Sequence, residues 1–163
     1  YFAKNTLVVN MIDVRSFGYS GGYRVNEPIK GMLSDIENLL RRCCSIGLPT
    51  YIVSHGFGSL LLFALLEENP KLPIAGVISL SPLFSFPFFN ETSFIGKVVL
   101  SILSYIFPNM IINNMINPTS LTNNQRMVKG CIDGVFNYQF ISTKMVQSYA
   151  ELSEKVLNDA HNF

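Results

Sequence analysis

The chain has 163 residues, enough for one domain with a real core. Its 12 basic and 11 acidic residues leave a net charge of +1, which excludes the basic footprint of a nucleic-acid binder. Charged residues make up 14% against ~25% in an ordinary soluble domain, and mean hydropathy is +0.30, so the chain packs against something else or touches lipid.

The stretch opens on Tyr1 rather than Met and reads as a piece of a longer chain. It carries no basic segment followed by an apolar run and a small-residue cleavage site, so no signal peptide is read in it and no compartment is assigned. Cys43, Cys44 and Cys131 have neither disulfide-framework nor metal-ligand spacing. With only two histidines, His55 and His161, no metal site and no cofactor are expected.

Thr6 to Ile12 is a short apolar, β-rich run, the pattern of a buried parallel strand. Asp13 to Tyr23, with Gly18, Gly21 and Gly22, is a loop. Pro28 suits a helix start. Ile29, Met32, Leu33, Ile36, Leu39, Leu40 and Cys43 then recur at helical steps and make one apolar face, which Gly47 ends. Pro49 to Ser54 is a second strand, Phe57 to Glu68 a second helix, and Ile74 to Leu80 a third strand. This alternation implies parallel strands joined by helical crossovers, an α/β fold.

After Pro82 the pattern changes. Residues 83–163 show no good strand. Ser93 to Phe107 is a strongly apolar helix ended by Pro108. Met110 to Ile116 reads as a further short helix, Thr119 to Arg126 as a loop, and Thr143 to Ala160 as a final helix with Met145, Tyr149, Leu152 and Val156 inward. Lys97, Pro108, Asn109, Asn113 and Asn114 interrupt the apolar residues over 94–116. A helix buried in protein or lying on a bilayer is expected there rather than a membrane span. Asn90-Glu91-Thr92 matches a glycosylation sequon and, without a signal peptide, is read as chance.

The informative segment is Ser54-His55-Gly56-Phe57-Gly58, placed where a strand turns into a helix. In α/β-hydrolases such a turn carries G-x-S-x-G, the nucleophile elbow, whose strained backbone lifts a serine hydroxyl clear of the sheet. Its flanks add to this. Asp13 to Arg24 resembles the D-x-R-G-x-G-x-S-x-G-x-R loop of monoacylglycerol lipases and related lysophospholipases. Leu48 to Gly58 resembles their strand and G-H-S-M-G elbow, and Gly76 to Pro82 their next strand, G-x-x-L-x-S-P. The chain is thus similar over its whole length to this serine aminopeptidase-type family. The resemblance implies a partial α/β-hydrolase fold, with residues 1–82 in the central part of the core and 83–163 forming a helical cap.

Against that family, Gly56 stands at the nucleophile position, Ser54 at the first elbow glycine and Ser16 at a loop glycine. The family's oxyanion motif lies upstream of this stretch, and its acid and histidine lie downstream. The resemblance therefore implies no catalytic residue here, and only the Phe57 N–H as an oxyanion-type donor. Ser54 and Ser59 are placed wrongly to substitute, His55 reads as structural, His161 as a surface residue and Asp13 as the aspartate that orders its loop. The expected function is a catalytically inactive hydrolase-like scaffold with a structural or binding role. Two alternatives stay open: an active serine hydrolase of lipid esters whose nucleophile was substituted, and a lipid-binding module that keeps the cap tunnel. Phe84, Phe86, Phe88 and Phe89 open the cap. Expected partners are protein subunits of a larger assembly and a lipid or membrane surface met through the cap, with no nucleic acid.

Overall fold

A computed structural model describes residues 2–85, 94–113, 117–135, 138 and 140–162. Phe86, Phe88, Phe89 and the sequon Asn90-Glu91-Thr92 lie outside the described residues. After a 3-10 turn at Phe2–Asn5 and the glycine-bearing loop, the elements are α1 (Ile29–Cys44), β1 (Tyr51–His55), α2 (Phe57–Glu68) and β2 (Gly76–Leu80). Then come α3 (Phe94–Ile106), β3 (Ile111–Asn113), α4 (Pro118–Leu121), α5 (Gln125–Asp133), β4 (Phe140–Ser142) and α6 (Thr143–Asp159).

Strands β1 and β2 pair in parallel with Tyr51 opposite Gly76 and His55 opposite Leu80, and α2 is the crossover between them. Ile52 points at the helices and packs on the core, while Tyr51 and Val53 point outward and are exposed. That alternation follows from the two-residue period of a strand.

The core is one cluster shared by α1, α2 and α6. Helix α1 contributes Ile29, Met32, Leu33 and Leu40 from its apolar face. Helix α6 contributes Met145, Tyr149, Leu152 and Val156, the inward set that its periodicity predicts. Helix α2 lies between them and buries Leu60, Leu61, Leu62, Ala64 and Leu65. Helix α3 packs on α6 through one side, where Leu100 is buried, and leaves Val98, Val99, Ile102 and Ile106 exposed.

The glycine-bearing loop is held to α1 by a bidentate ion pair. The Arg15 guanidinium donates to both carboxylate oxygens of Asp35, at 2.6 and 2.7 Å. Asp13 accepts from the Tyr19 N–H, and so orders the turn as its position suggests. Ser16 is fully buried in the left-handed region at φ 78. A side chain is uncommon there. It is held by donating to the Tyr23 carbonyl at 2.5 Å and accepting from the Asn26 N–H at 3.3 Å.

Three local expectations are corrected. Residues 7–12 form no ladder, and Val8 and Met11 are 70% and 90% exposed. An apolar, β-rich run becomes a strand only when a neighbouring strand takes its backbone groups, and none of the described residues pairs with it in a ladder. Met110 to Ile116 is not helical where described. Ile111–Asn113 pairs antiparallel with Phe140–Ser142, so the region after Pro82 does contain strands. Two adjacent β-branched residues, Ile111 and Ile112, favour the extended form, but three-residue strands are too short to show a period. Finally, the polar stretch over 119–126 is largely taken up by α4 and the start of α5. Asn124, inside the stretch read as a loop, is the N-cap of α5 and accepts from the Arg126 N–H, as Asn117 caps α4 by accepting from the Thr119 N–H, each at 3.1 Å.

Helix α6 begins at a junction of several segments. The Ser142 hydroxyl accepts from the Met145 N–H and donates to the Asn26 side chain. The first N–H groups of α6, from Thr143 and Lys144, donate to the Met110 and Pro108 carbonyls.

This packing sets the cost of two kinds of substitution. Leu61 is fully buried, whereas Leu121 is 65% exposed. Leu61→Ala is expected to lower the unfolding free energy by about 2–5 kcal/mol and Leu121→Ala by less than about 0.5 kcal/mol, read by denaturant titration. Ser142→Ala removes the cap of α6 and is expected to cost about 0.5–2 kcal/mol in the same titration.

Candidate functional site: the strand-to-helix turn at Gly56

β1 ends at His55 and α2 begins at Phe57, so the whole reversal is made at Gly56. Its backbone sits at φ 55 and ψ −123, a combination that residues with a side chain rarely adopt. The Gly56 N–H donates to the Leu80 carbonyl of β2 at 3.1 Å. The Gly56 carbonyl accepts from the Ser59 N–H in the first turn of α2 and from the Leu83 N–H beyond β2, each at 3.1 Å. A trans peptide points its carbonyl and N–H in opposite directions. With the carbonyl turned toward Ser59 and Leu83, the Phe57 N–H of the same peptide is aimed the other way, and as a first-turn group it has no acceptor within the helix.

A Cβ built on Gly56 meets no atom within 4 Å, and the same is true of Gly58. The turn is therefore tight in its backbone and open in front.

Hydroxyl groups gather beside the turn. The Ser54 and Ser59 hydroxyls lie 3.0 Å apart in a mutual hydrogen bond, and Ser59 is fully buried. Ser54 lies opposite Ser79 in the β1–β2 register. The Ser79 hydroxyl is buried with no hydrogen-bond partner among the described residues. His55 is exposed at the end of β1, and His161 is exposed beyond α6 with its Nδ1 3.0 Å from the Asn158 carbonyl. Among the described residues neither ring pairs with a serine hydroxyl.

A feature that the sequence does not signal is the strap Ser81–Ser85 after β2. Tyr149 of α6 donates its hydroxyl to the Leu83 carbonyl, and Ser153, one turn later, donates to the Phe84 carbonyl. Burial pushes the Tyr149 phenol above its ordinary range, so it remains a donor. The Phe57 ring lies between Phe17 of the loop and Tyr149 of α6, with centroids 6.3 and 5.4 Å away. Phe84 packs on Phe63 at 5.4 Å. The partners in the strap are backbone carbonyls, which carry no residue signature.

A cavity of about 560 Å³ lies between the loop and α1, lined by Asp13, Arg15, Glu27, Asp35 and Arg42 among others. It contains none of residues 54–58. Among the described residues no group of three His, Cys, Asp or Glu side chains could hold a metal ion, and no helix is long and apolar enough to cross a membrane.

The model of the family described as Serine aminopeptidase, S33, matches residues 1–163. An uncharacterized abhydrolase domain-containing protein of Dictyostelium discoideum is 28% identical over 164 residues, covering 99% of this chain and 17% of its own length. Two solved structures share the fold. The monoacylglycerol lipase of Paleococcus ferrophilus matches with a TM-score of 0.75 and 23% identity over 91% of this chain and 55% of that one. A soluble variant of monoglyceride lipase from Saccharomyces cerevisiae, solved with a substrate analog, matches with a TM-score of 0.67 and 17% identity over 92% and 52%. The chain spans about half the length of those two structures and about a sixth of the Dictyostelium relative. The parallel strand pair, the flanking helices and the sharp turn at Gly56 are thus part of an α/β-hydrolase fold shared with those two structures, and the chain belongs to the serine aminopeptidase S33 family.

Proposed function

We propose that this protein is a catalytically silent α/β-hydrolase, kept as a scaffold for binding or assembly. The observation that carries the reading is Gly56. It occupies the strand-to-helix turn with elbow-like dihedrals and has no side chain with which to attack a carbonyl carbon. The Phe57 N–H could still polarise a carbonyl or hold a carboxylate, because it is fixed by the peptide it shares with Gly56. The nearby hydroxyls of Ser54 and Ser59 are turned toward each other, which leaves neither as a free nucleophile. On this reading residues 1–82 belong to the central part of the core and 83–163 to the cap region, whose last helix α6 also packs into the core. The partners are other protein subunits or a lipid surface met by the cap, where α3 exposes Val98, Val99, Ile102 and Ile106.

A second reading has its own support. The space in front of Gly56 is open, and the backbone keeps a conformation that an elbow serine would need. This fits a serine-type ester hydrolase in which the nucleophile alone has been replaced. The substrate would then be a monoacylglycerol or lysophospholipid ester, attacked by serine with a histidine base and an orienting acid outside this stretch.

Gly56→Ser in the full-length chain separates the two. The side chain fits, but the positive φ is expected to cost about 1–3 kcal/mol of stability, read by thermal or denaturant unfolding. The scaffold reading expects the folded variant to remain inert toward short acyl esters and unlabelled by serine-directed phosphonates. Ester turnover that arises together with phosphonate labelling would establish the second reading instead.

A further inference from the structure

Near its C-terminal end, α2 meets the last turns of α6. Lys155 of α6 pairs with Glu68 there, at 3.0 Å. The preceding residue, Glu67, is a different case. Both of its carboxylate oxygens are closed off from solvent, and neither has a hydrogen-bond partner among the described residues. The charged groups that face it are Lys155 and Asp159 from α6 and Glu68 from its own helix. Asp159 and Glu68 repel a negative charge on Glu67, and the one attracting group, Lys155, is already engaged by Glu68. A carboxylate without donors in a closed space is costly, whereas the neutral acid has no charge to desolvate.

We propose that Glu67 is a proton-operated latch between α2 and α6: the neutral acid lets the end of α6 seat, and the ionised form loosens it. The latch reaches the elbow because of what α6 carries. Tyr149 and Ser153 hold the carbonyls of Leu83 and Phe84, and the Leu83 N–H holds the Gly56 carbonyl. Loosening α6 slackens the strap, and with it the peptide that aims the Phe57 N–H. The device works whether or not residue 56 takes part in chemistry.

Its direction is set by linkage. Burial above all, and then repulsion from Asp159, raises the Glu67 carboxyl above its ordinary 4.5, while Lys155 opposes the shift. For an acid raised in the seated state, the stabilisation is fully present below the undocked value and is lost as pH rises through the higher seated value. Seating is therefore strongest in acid and weakens upward from 4.5.

The test is amide hydrogen exchange on the full-length protein between about pH 5 and about pH 8, corrected for intrinsic rates. In the unaltered protein, protection over Leu152–Asp159 should fall as pH rises, and the Leu83 amide should track it. Ile52 and Val53 of β1 serve as an internal reference that does not move. Glu67→Gln keeps the shape without the charge and should abolish the fall. Lys155→Met, which removes the attracting charge, should steepen it. If Glu67→Gln also opens β1, Glu67→Met takes its place as the uncharged variant. An uncharged variant that keeps the same fall, or an α6 whose protection does not change with pH, overturns the latch. A Leu83 amide indifferent to pH while α6 responds overturns its link to the elbow.

Discussion

Helix α2 has almost no side that water can touch, and the rest of the structure is arranged around that constraint. Leu60, Leu61, Leu62, Ala64 and Leu65 are each at most 2% exposed. With the fully buried Ser59 they occupy positions 59–62, 64 and 65, so they point around most of the axis rather than along one stripe. A helix of this kind is unstable at a surface, since each fully buried leucine is worth roughly 1.5–3 kcal/mol relative to exposure. It must be enclosed. The inner residue of β1 does this from one side, and the apolar faces of α1 and α6 from others. Helix α1 can remain polar on its outer face because its apolar residues lie along one stripe, while α6 covers α2 and also takes the buried side of α3.

Enclosing α2 fixes the surroundings of its first residue. Phe57 comes directly after Gly56, and its ring is caught between the loop and α6 through Phe17 and Tyr149. The strap after β2 is pulled into the same place. Its carbonyls would otherwise be half-buried acceptors without donors, an arrangement that folded proteins avoid. Hydroxyls on α6 satisfy them at Leu83 and Phe84. Tyr149 therefore serves two requirements with one side chain: its ring helps to cover Phe57, and its hydroxyl ends the strap.

Much of this organisation was legible in the residues, and the gaps have physical causes. The second helix was legible to its ends, Phe57 and Glu68, because a glycine precedes it and Asn69-Pro70 closes it. The inward set of α6 was legible because Met145, Tyr149, Leu152 and Val156 keep a helical spacing. The run over 7–12 misled because composition reports a preference for extended backbone and not the presence of a partner. Asn124, in the stretch read as a loop, misled in the opposite sense. The same side-chain oxygen that favours a turn also caps a helix, and the residues on its C-terminal side decide between the two. At the site, the position of Gly56 was visible from the segment and its flanks. The strap, the Ser79 hydroxyl and Glu67 were not, since each depends on a contact between residues distant in the chain.

The turn at Gly56 separates geometry from chemistry. Every bond that shapes it is made by the backbone: the Gly56 N–H to Leu80, and the Gly56 carbonyl to the N–H groups of Ser59 and Leu83. No side chain at position 56 contributes to any of them. A residue with a Cβ would have to be forced into φ 55 by this same network, and the work would come out of the stability of the surrounding strands and helix. Glycine takes up the conformation without that penalty. The network would thus hold its shape with or without a nucleophile, and holds it more easily without one. The elbow is accordingly a poor reporter of activity by its shape alone. What distinguishes a working site from a silent one is whether an attacking group, a base and an acid converge in front of a turn whose form is indifferent to them.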